Sequence, residues 1–327
     1  MSLHDLRKAL YDFDAAAVQK AIDACFSEDA RLQLGHPFET LDSPQALFTD
    51  ALAPLQTAWP DLERRETIVV TGASPGGTWV GCCGFYTGSF LSPWLGIPPT
   101  GHVAVMRFHD FFRIEEDKVV EMQAVWDIPE VMMQAGIWPM SPSLGHEWHV
   151  PGPATQDGLR IGGSGRASLT VVRDMLNALG RFDAGGLEAM ELPRYFHPKL
   201  NWYGPSGIGT ARGISGFRNW HQIPFLRAMP DRVGDPAGGH LFAQGNYVAF
   251  TAWPGMSGTI SQDGWLGIAP SNQEITLRSL DFWRVEAGLI RENWVLVDLL
   301  HLYDQIGVDV LARMRELAKA RTGLRDI

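Results

Sequence analysis

Trp94-Leu95-Gly96-Ile97 and Trp265-Leu266-Gly267-Ile268 open two stretches, residues 94–137 and 265–308, that align without a gap. Of the 44 aligned positions 14 are identical, where ordinary amino-acid usage gives roughly three. The chain is therefore doubled. Upstream, Phe13-Asp14-Ala15 matches Phe182-Asp183-Ala184, Phe26 matches Phe196, and Pro60-Asp61 matches Pro230-Asp231, in the same order and at offsets of 169 or 170. A period this long is not that of a solenoid. It describes two whole domains whose loops differ by a residue or two.

The length of 327 residues accommodates two domains, each with its own core. The expected division is a first domain at 1–140, a linker at 141–166 and a second domain at 167–327. Hydrophobic residues are 45% of the chain and charged residues 20%, and no apolar run reaches the length of about 18 residues that a membrane helix needs. Met1-Ser2-Leu3-His4-Asp5 lacks the basic start and apolar core of a secretory signal, so a cytoplasmic location is the expectation. Cys25, Cys82 and Cys83 have no metal-ligand spacing and read as reduced core thiols. A net charge of −10 without basic clusters argues against nucleic acid or an anionic membrane surface as partner. With 12 Trp and 16 Phe to place, an apolar or aromatic small molecule is the more natural ligand, and thick cores with a domain interface are the competing use.

In each copy the pattern runs from helix to strand. Leu6, Leu10, Phe13, Val18, Ile22 and Phe26 recur at helical spacing, and Ser43-Pro44 predicts the start of a helix over 44–57. Strands are predicted near 67–70, 78–90, 102–114 and 118–127, with Ser74-Pro75-Gly76-Gly77 as a hairpin turn. The second copy predicts helices near 168–180, 184–196 and 214–228, then strands near 239–244, 247–260, 273–285 and 289–298. The class is α+β, helices on an antiparallel sheet.

Residues 138–168 are rich in Pro and Gly, as a linker is, and Trp138 and Trp148 favour a segment laid across a domain surface. His146-Glu147-Trp148-His149 lacks the i, i+4 histidine spacing of a zinc helix, and Gly162-Gly163-Ser164-Gly165 lacks the lysine and strand of a phosphate loop. No metal and no organic cofactor is expected. The chemistry left to such a chain is acid–base.

Alternation on the last strand places Glu292, Trp294, Leu296 and Asp298 on one face. A carboxylate among such neighbours is partly desolvated, which raises its pKa toward the range of a general acid or base. Asp127 holds the matching position in the first copy. Helical segments follow both aspartates, so helix capping is the competing role. Asp110 and Asp281 are also kept in both copies, and they read as salt-bridged structural groups with Arg107, Arg113, Arg278 and Arg284 as available partners.

Gly96-Ile97-Pro98-Pro99-Thr100-Gly101-His102-Val103, then Lys118-Val119-Val120-Glu121 leading to Asp127 and Gln134-Ala135-Gly136, resembles the SnoaL-like polyketide cyclases. Glu292-Asn293-Trp294 leading to Asp298 and Gln305-Ile306-Gly307 carries the same resemblance in the second copy. It implies two tandem cone-shaped domains of the nuclear-transport-factor-2-like (NTF2-like) type, each a curved sheet wrapped by helices around an apolar pocket. It also implies intramolecular aldol ring closure without a cofactor, with Asp127 and Asp298 as acid/base; Gln123, Trp294, Trp94, Trp265 and His102 are the candidate substrate-binding residues. The copies depart from the pattern differently: Gln123 stands in place of the family tryptophan, and Ala269-Pro270-Ser271-Asn272 in place of Pro-Pro-Thr-Gly. Two pockets but a single activity are expected, in a tandem that mimics a dimer within one chain, with a homodimer of whole chains left open. Other readings are a non-catalytic small-molecule-binding protein, or a hydratase or epoxide hydrolase on the same fold.

Overall fold

In a computed structural model describing residues 2–235 and 238–322, both Trp-Leu-Gly-Ile stretches close the same two-residue turn. Trp94 and Ile97 exchange backbone hydrogen bonds of 3.2 and 2.7 Å, and Trp265 and Ile268 exchange two of 2.9 Å. The central residues are left-handed in both, with φ of 52° and 81° at Leu95 and Gly96 and 53° and 78° at Leu266 and Gly267. Two successive positive φ values define the tight turn whose twist suits antiparallel partners.

The first copy runs α1 (Leu3–Tyr11), α2 (Ala15–Cys25), β1 (Phe26–Leu34), β2 (Glu39–Leu41), α3 (Pro44–Ala46), a π-helical turn (Leu47–Leu52), α4 (Ala53–Ala58), β3 (Glu63–Ser74), β4 (Gly77–Ser89), β5 (Val103–Glu115), β6 (Lys118–Trp126) and α5 (Ile128–Gln134). The second runs α6 (Arg166–Leu179), α7 (Phe182–Ala189), β7 (Phe196–Tyr203), β8 (Thr210–Arg212), α8 (Gly213–Phe217), a π-helical turn (Arg218–Gln222), α9 (Ile223–Ala228), β9 (Val233–Gly234), β10 (Gly239–Gln244), β11 (Tyr247–Thr259), β12 (Glu274–Glu286), β13 (Leu289–Val297), α10 (Leu299–Gln305) and α11 (Val310–Thr322). Local chemistry sets the boundaries. Asp14 accepts the Ala17 N–H at 2.8 Å to cap α2, and Ser43 caps the helix begun by Pro44.

Two of the strands that depart from the sequence expectation change the character of the sheets. Phe26 ends the helical pattern but begins β1, and β7 takes up the end of the helix expected over 184–196. Each pairs in parallel with the last strand of its copy, Leu34 with Ala124 and Trp202 with Asn293. The sheets, ordered β2-β1-β6-β5-β4-β3 and β10-β11-β12-β13-β7-β8 with β9 on β11, are thus mixed rather than wholly antiparallel. A parallel partner far along the chain leaves no local signal in the sequence, because its ladder is completed only by the fold.

The chain divides into two compact units. Unit 1 comprises Met1–Glu66, Cys83–Met140 and Asp298–Ile327; unit 2 comprises Thr67–Cys82 and Ser141–Val297. The segment from Asp298 onward, encoded at the end of the second copy, thus belongs to the unit built mostly from the first.

Register fixes the two faces of each sheet, since directly paired residues point the same way. In unit 2, Trp202, Asn293 and Trp283 form one row across β7, β13 and β12. The Trp202 ring stacks on His221 of the π-helical turn at 4.2 Å, so this is the inner face, covered by helix. The outer face carries Tyr203, Glu292 and Arg284, and the linker crosses it. Trp294 donates to Pro151 O at 2.9 Å, Ala154 N–H points at both Glu292 oxygens at 3.3 Å, and Tyr247 donates to Asp157. Trp148 does not need the burial expected of it: it is 49% exposed, with its indole N–H on Thr210 Oγ1.

Candidate functional site on the inner faces

Asp281 lies two residues along β12 from Trp283, and therefore on the inner face of unit 2, flanked by Phe250 of β11 and Val295 of β13. It is buried, and among the described residues its side chain has one hydrogen-bond partner, the Ser279 hydroxyl at 2.7 Å. Burial penalises the ionised form, the serine opposes it only weakly, and the pKa is pushed up to about 7. A carboxyl group that titrates near neutrality exchanges protons in both directions at working pH.

Unit 1 treats the matching carboxylate differently. Asp110 shares its face with Phe108 on β5 and Trp126 on β6, and it accepts from Arg64 Nη2 at 2.8 Å and from the Trp126 indole at 3.3 Å. Arg64 lies 3.9 Å from the Phe108 ring centroid and also pairs with Glu66, which Arg7 holds from the other side. Burial raises Asp110 against the pull of Arg64 and Trp126, while Arg64 and Arg7 overcome the burial of Glu66 and hold it at about 2. Around this chain of charges the rings are continuous. Trp126 meets Tyr86 and Phe38 edge-on at 5.4 and 5.6 Å, and Phe38 lies 6.5 Å from Trp94. The positions in unit 2 matching Arg64, Phe108 and Trp126 are Gly234, Ser279 and Val297, so the carboxyl group is kept while its cation and rings are gone.

The residues singled out from sequence are dispersed. Asp127 accepts from Arg107 Nη2 at 2.8 Å, both groups buried, and makes no side-chain cap bond to α5. Asp298 caps α10, accepting the His301 N–H at 3.1 Å. Gln123 reaches Gln33 and Glu121, and Trp294 is tied to Pro151, both on outer faces opposite Asp110 and Asp281. His102 is exposed, its Nδ1 on Val103 O. Trp265 is buried edge-on to Phe225 at 5.2 Å. Trp94 alone joins the ring cluster around an inner-face carboxylate, and its indole N–H has no hydrogen-bond partner among the described residues.

The arginines expected to serve Asp110 and Asp281 are engaged elsewhere. Arg107 holds Asp127, Arg113 holds Glu121, Arg284 holds Glu292, and Arg278 lies 4.6 Å from the Trp253 ring centroid. Arg64, the true partner of Asp110, was hidden because β3 begins at Glu63, ahead of the strand expected from Thr67. Extending the alternation Ile68, Val70 backward would have placed Arg64 inside. His221 and Gln222 were also missed, although the two copies differ there from Ala51-Leu52 to His221-Gln222. Among the described residues no group of three or more His, Cys, Asp or Glu is placed to hold a metal ion, and no helix is long and apolar enough to cross a membrane.

Comparison with known proteins agrees with the doubled architecture. The chain is similar to solved structures of AclR from Streptomyces galilaeus (18% identity over 42% of this chain and 81% of that one, TM-score 0.35) and IdmH from Streptomyces antibioticus (20%, 41% and 95%, 0.34). It is also similar to an NTF2-like protein from Burkholderia xenovorans (20%, 45% and 100%, 0.33). No curated protein matches the chain. The profile of the SnoaL-like polyketide cyclases matches twice, at residues 4–135 and 174–306, once for each copy. Those two segments span most of the sequence, and the chain belongs to the SnoaL-like polyketide cyclase family.

Proposed function

We propose that the chain is a cofactor-independent acid–base enzyme acting on an apolar, carbonyl-containing small molecule, as in aldol-type ring closure, with Asp281 as its proton shuttle. The observation that carries this reading is the inner-face position of Asp281, buried, near-neutral in pKa and hydrogen-bonded by Ser279 alone among the described residues. Its carboxylate form takes a proton from the carbon beside a carbonyl, and the resulting acid returns one to the alkoxide that forms. Asp127 and Asp298, marked for this role by the family resemblance, each bind a structural partner and serve here as positioning groups. Asp110 faces Arg64 across 2.8 Å and is tied to a cation that Asp281 lacks among the described residues.

The test is exchange of solvent deuterium into the α-carbon of a panel of apolar ketones, followed by mass spectrometry. Asp281→Asn is expected to slow exchange by about 10²–10⁴-fold, with Asp127→Asn and Asp298→Asn losing far less once corrected for folded fraction. Undiminished exchange in Asp281→Asn overturns the assignment. A second reading, a non-catalytic binding protein, is favoured by the structural engagement of Asp127 and Asp298, and it predicts no enzyme-dependent exchange in any variant.

A further inference from the structure

Both copies keep a π-helical turn at the same place, Leu47–Leu52 before α4 and Arg218–Gln222 before α9. A π turn inserts a residue into the helix and re-aims the side chains at its end, which is why such turns gather at functional sites. Its two closing residues are Ala51 and Leu52 in the first copy, and His221 and Gln222 in the second. Likewise Phe112 on β5 corresponds to Trp283 on β12. At three matched positions an apolar side chain has become one with hydrogen-bonding atoms.

Those atoms are buried and, among the described residues, unpartnered: His221 Nδ1, Gln222 Oε1 and Trp283 Nε1. The Gln222 amide nitrogen is committed to Met190 Sδ at 3.3 Å, so its oxygen is left as an acceptor. The Trp283 indole is a donor only. His221 stacks on Trp202, which shares an inner-face row with Asn293 and Trp283, so the imidazole and the indole flank the same face. Desolvation pushes the His221 pKa down to about 3, so the ring is neutral at ordinary pH. A buried polar atom without a partner costs on the order of 1–3 kcal/mol, and these three stand where the first copy carries apolar side chains.

We propose that the π turn of unit 2 is a ligand-reading element: Gln222 Oε1 accepts a hydroxyl, Trp283 Nε1 donates to a carbonyl oxygen, and neutral His221 borders the same ligand, which is uncharged and flat. Unit 1, with Ala51, Leu52 and Phe112 at these positions, carries no such reader. The inference shares with the proposed function only the assignment of the inner face of unit 2 to a ligand. It requires no turnover.

The probe is 7-hydroxycoumarin, with one hydroxyl and one ring carbonyl, at pH 6.5 where the phenol is neutral; coumarin lacks the hydroxyl and 2-naphthol lacks the carbonyl. Binding to the full chain is followed by fluorescence titration. Gln222→Leu, which installs the first-copy residue, is expected to weaken 7-hydroxycoumarin about 5- to 20-fold while coumarin changes less than about twofold. Trp283→Phe is expected to weaken both carbonyl probes and to spare 2-naphthol. Without ligand the same variants are expected to melt higher, by roughly 1–4 °C, because an unpaired polar atom has been removed. A purely structural Gln222 or Trp283 would instead melt lower. No saturable binding of 7-hydroxycoumarin to the wild type, equal losses for probes with and without the matching oxygen, or lowered melting in both variants overturns the proposal. Binding is read without turnover and deuterium exchange without these probes, so failure of catalysis and failure of recognition are read separately.

Discussion

The backbone N–H of His36 donates to Asp298 Oδ2 at 2.9 Å although 262 residues separate the two in sequence. The other carboxylate oxygen accepts from His301 at the start of α10, so one side chain both caps the helix and fastens it to the loop after β1 within unit 1. Packing is close: a Cβ on Gly35 would stand 3.3 Å from Asp298 Oδ2. Asp298→Ala removes a cap and strands the His36 N–H, a loss expected at about 1–3 kcal/mol. Urea denaturation should give Asp298→Asn a smaller deficit, since the amide keeps one acceptor. Equal midpoints for wild type and Asp298→Ala would contradict the capping account.

Ending the chain after Val297 removes more than this cap. Tyr303, whose ring lies 6.4 Å from that of Trp138, and the fully buried Met314 belong to the core of unit 1. The truncated protein is expected to lose cooperative melting of unit 1, followed as amide exchange in α2 and β5. Protection there at wild-type levels would mean that the C-terminal helices are dispensable.

These contacts mark where the sequence was readable and where it was not. The doubling and the strands β4, β5, β6, β11, β12 and β13 follow from local pattern, because alternation is a local property. Strands β1 and β7 do not, since their partners are chosen by the fold. Alternation reads the common face of Glu292, Trp294 and Leu296, but Asp298 lies past the end of β13 at the cap of α10, and alternation cannot say which face the helices cover. Only the packing of His221 on Trp202 settles that, and it moves attention to Asp281. The arginines near Asp110 in sequence point to the other face of β5, and its actual partner comes from β3.

Asp281 should make stability depend on pH in a direction unusual for a carboxylate. Its folded pKa of about 7 lies above the ordinary 3.8, so the folded state binds the proton more tightly. The resulting stability is fully present below about pH 4 and is lost as pH rises through about 7, a change of order 4 kcal/mol. Asp281→Asn cannot ionise, so it should gain on wild type as pH increases from 5 to 8. Thermal melts at those two pH values check this, and a constant difference between the proteins would mean that the group is ionised throughout.

Arg64 serves two carboxylates, Asp110 and Glu66, and is itself buried. Arg64→Met leaves Asp110 without its cation in a ring-lined interior, which is expected to cost about 3–5 kcal/mol. Adding Asp110→Asn should recover a good part of that loss, because the uncompensated charge goes with it. A double-mutant cycle in urea measures the coupling, and additive losses would mean that the pair is not energetically linked. Glu66, held at about 2 against an ordinary 4.5, adds the opposite pH trend. Its contribution is present above pH 4.5 and fades as pH falls through 2.

The linker strap on the outer face of unit 2 hangs on Trp294, through its indole N–H on Pro151 O, and on Glu292, which receives the Ala154 N–H. Glu292 is also the buried partner of Arg284 at 2.5 Å, so its removal would disturb the sheet as well as the strap. Trp294→Phe separates the two effects, keeping an aromatic ring while deleting one hydrogen bond worth about 1 kcal/mol. Local opening of residues 151–157 should then be several-fold more frequent while the global melting midpoint falls only slightly. Limited proteolysis with a protease of broad specificity reports the opening directly as cleavage within the linker. If cleavage rises only in proportion to global unfolding, the strap is not held by Trp294, and the linker instead owes its position to the backbone pairing of Gly145 and His146 with Ile208 and Thr210.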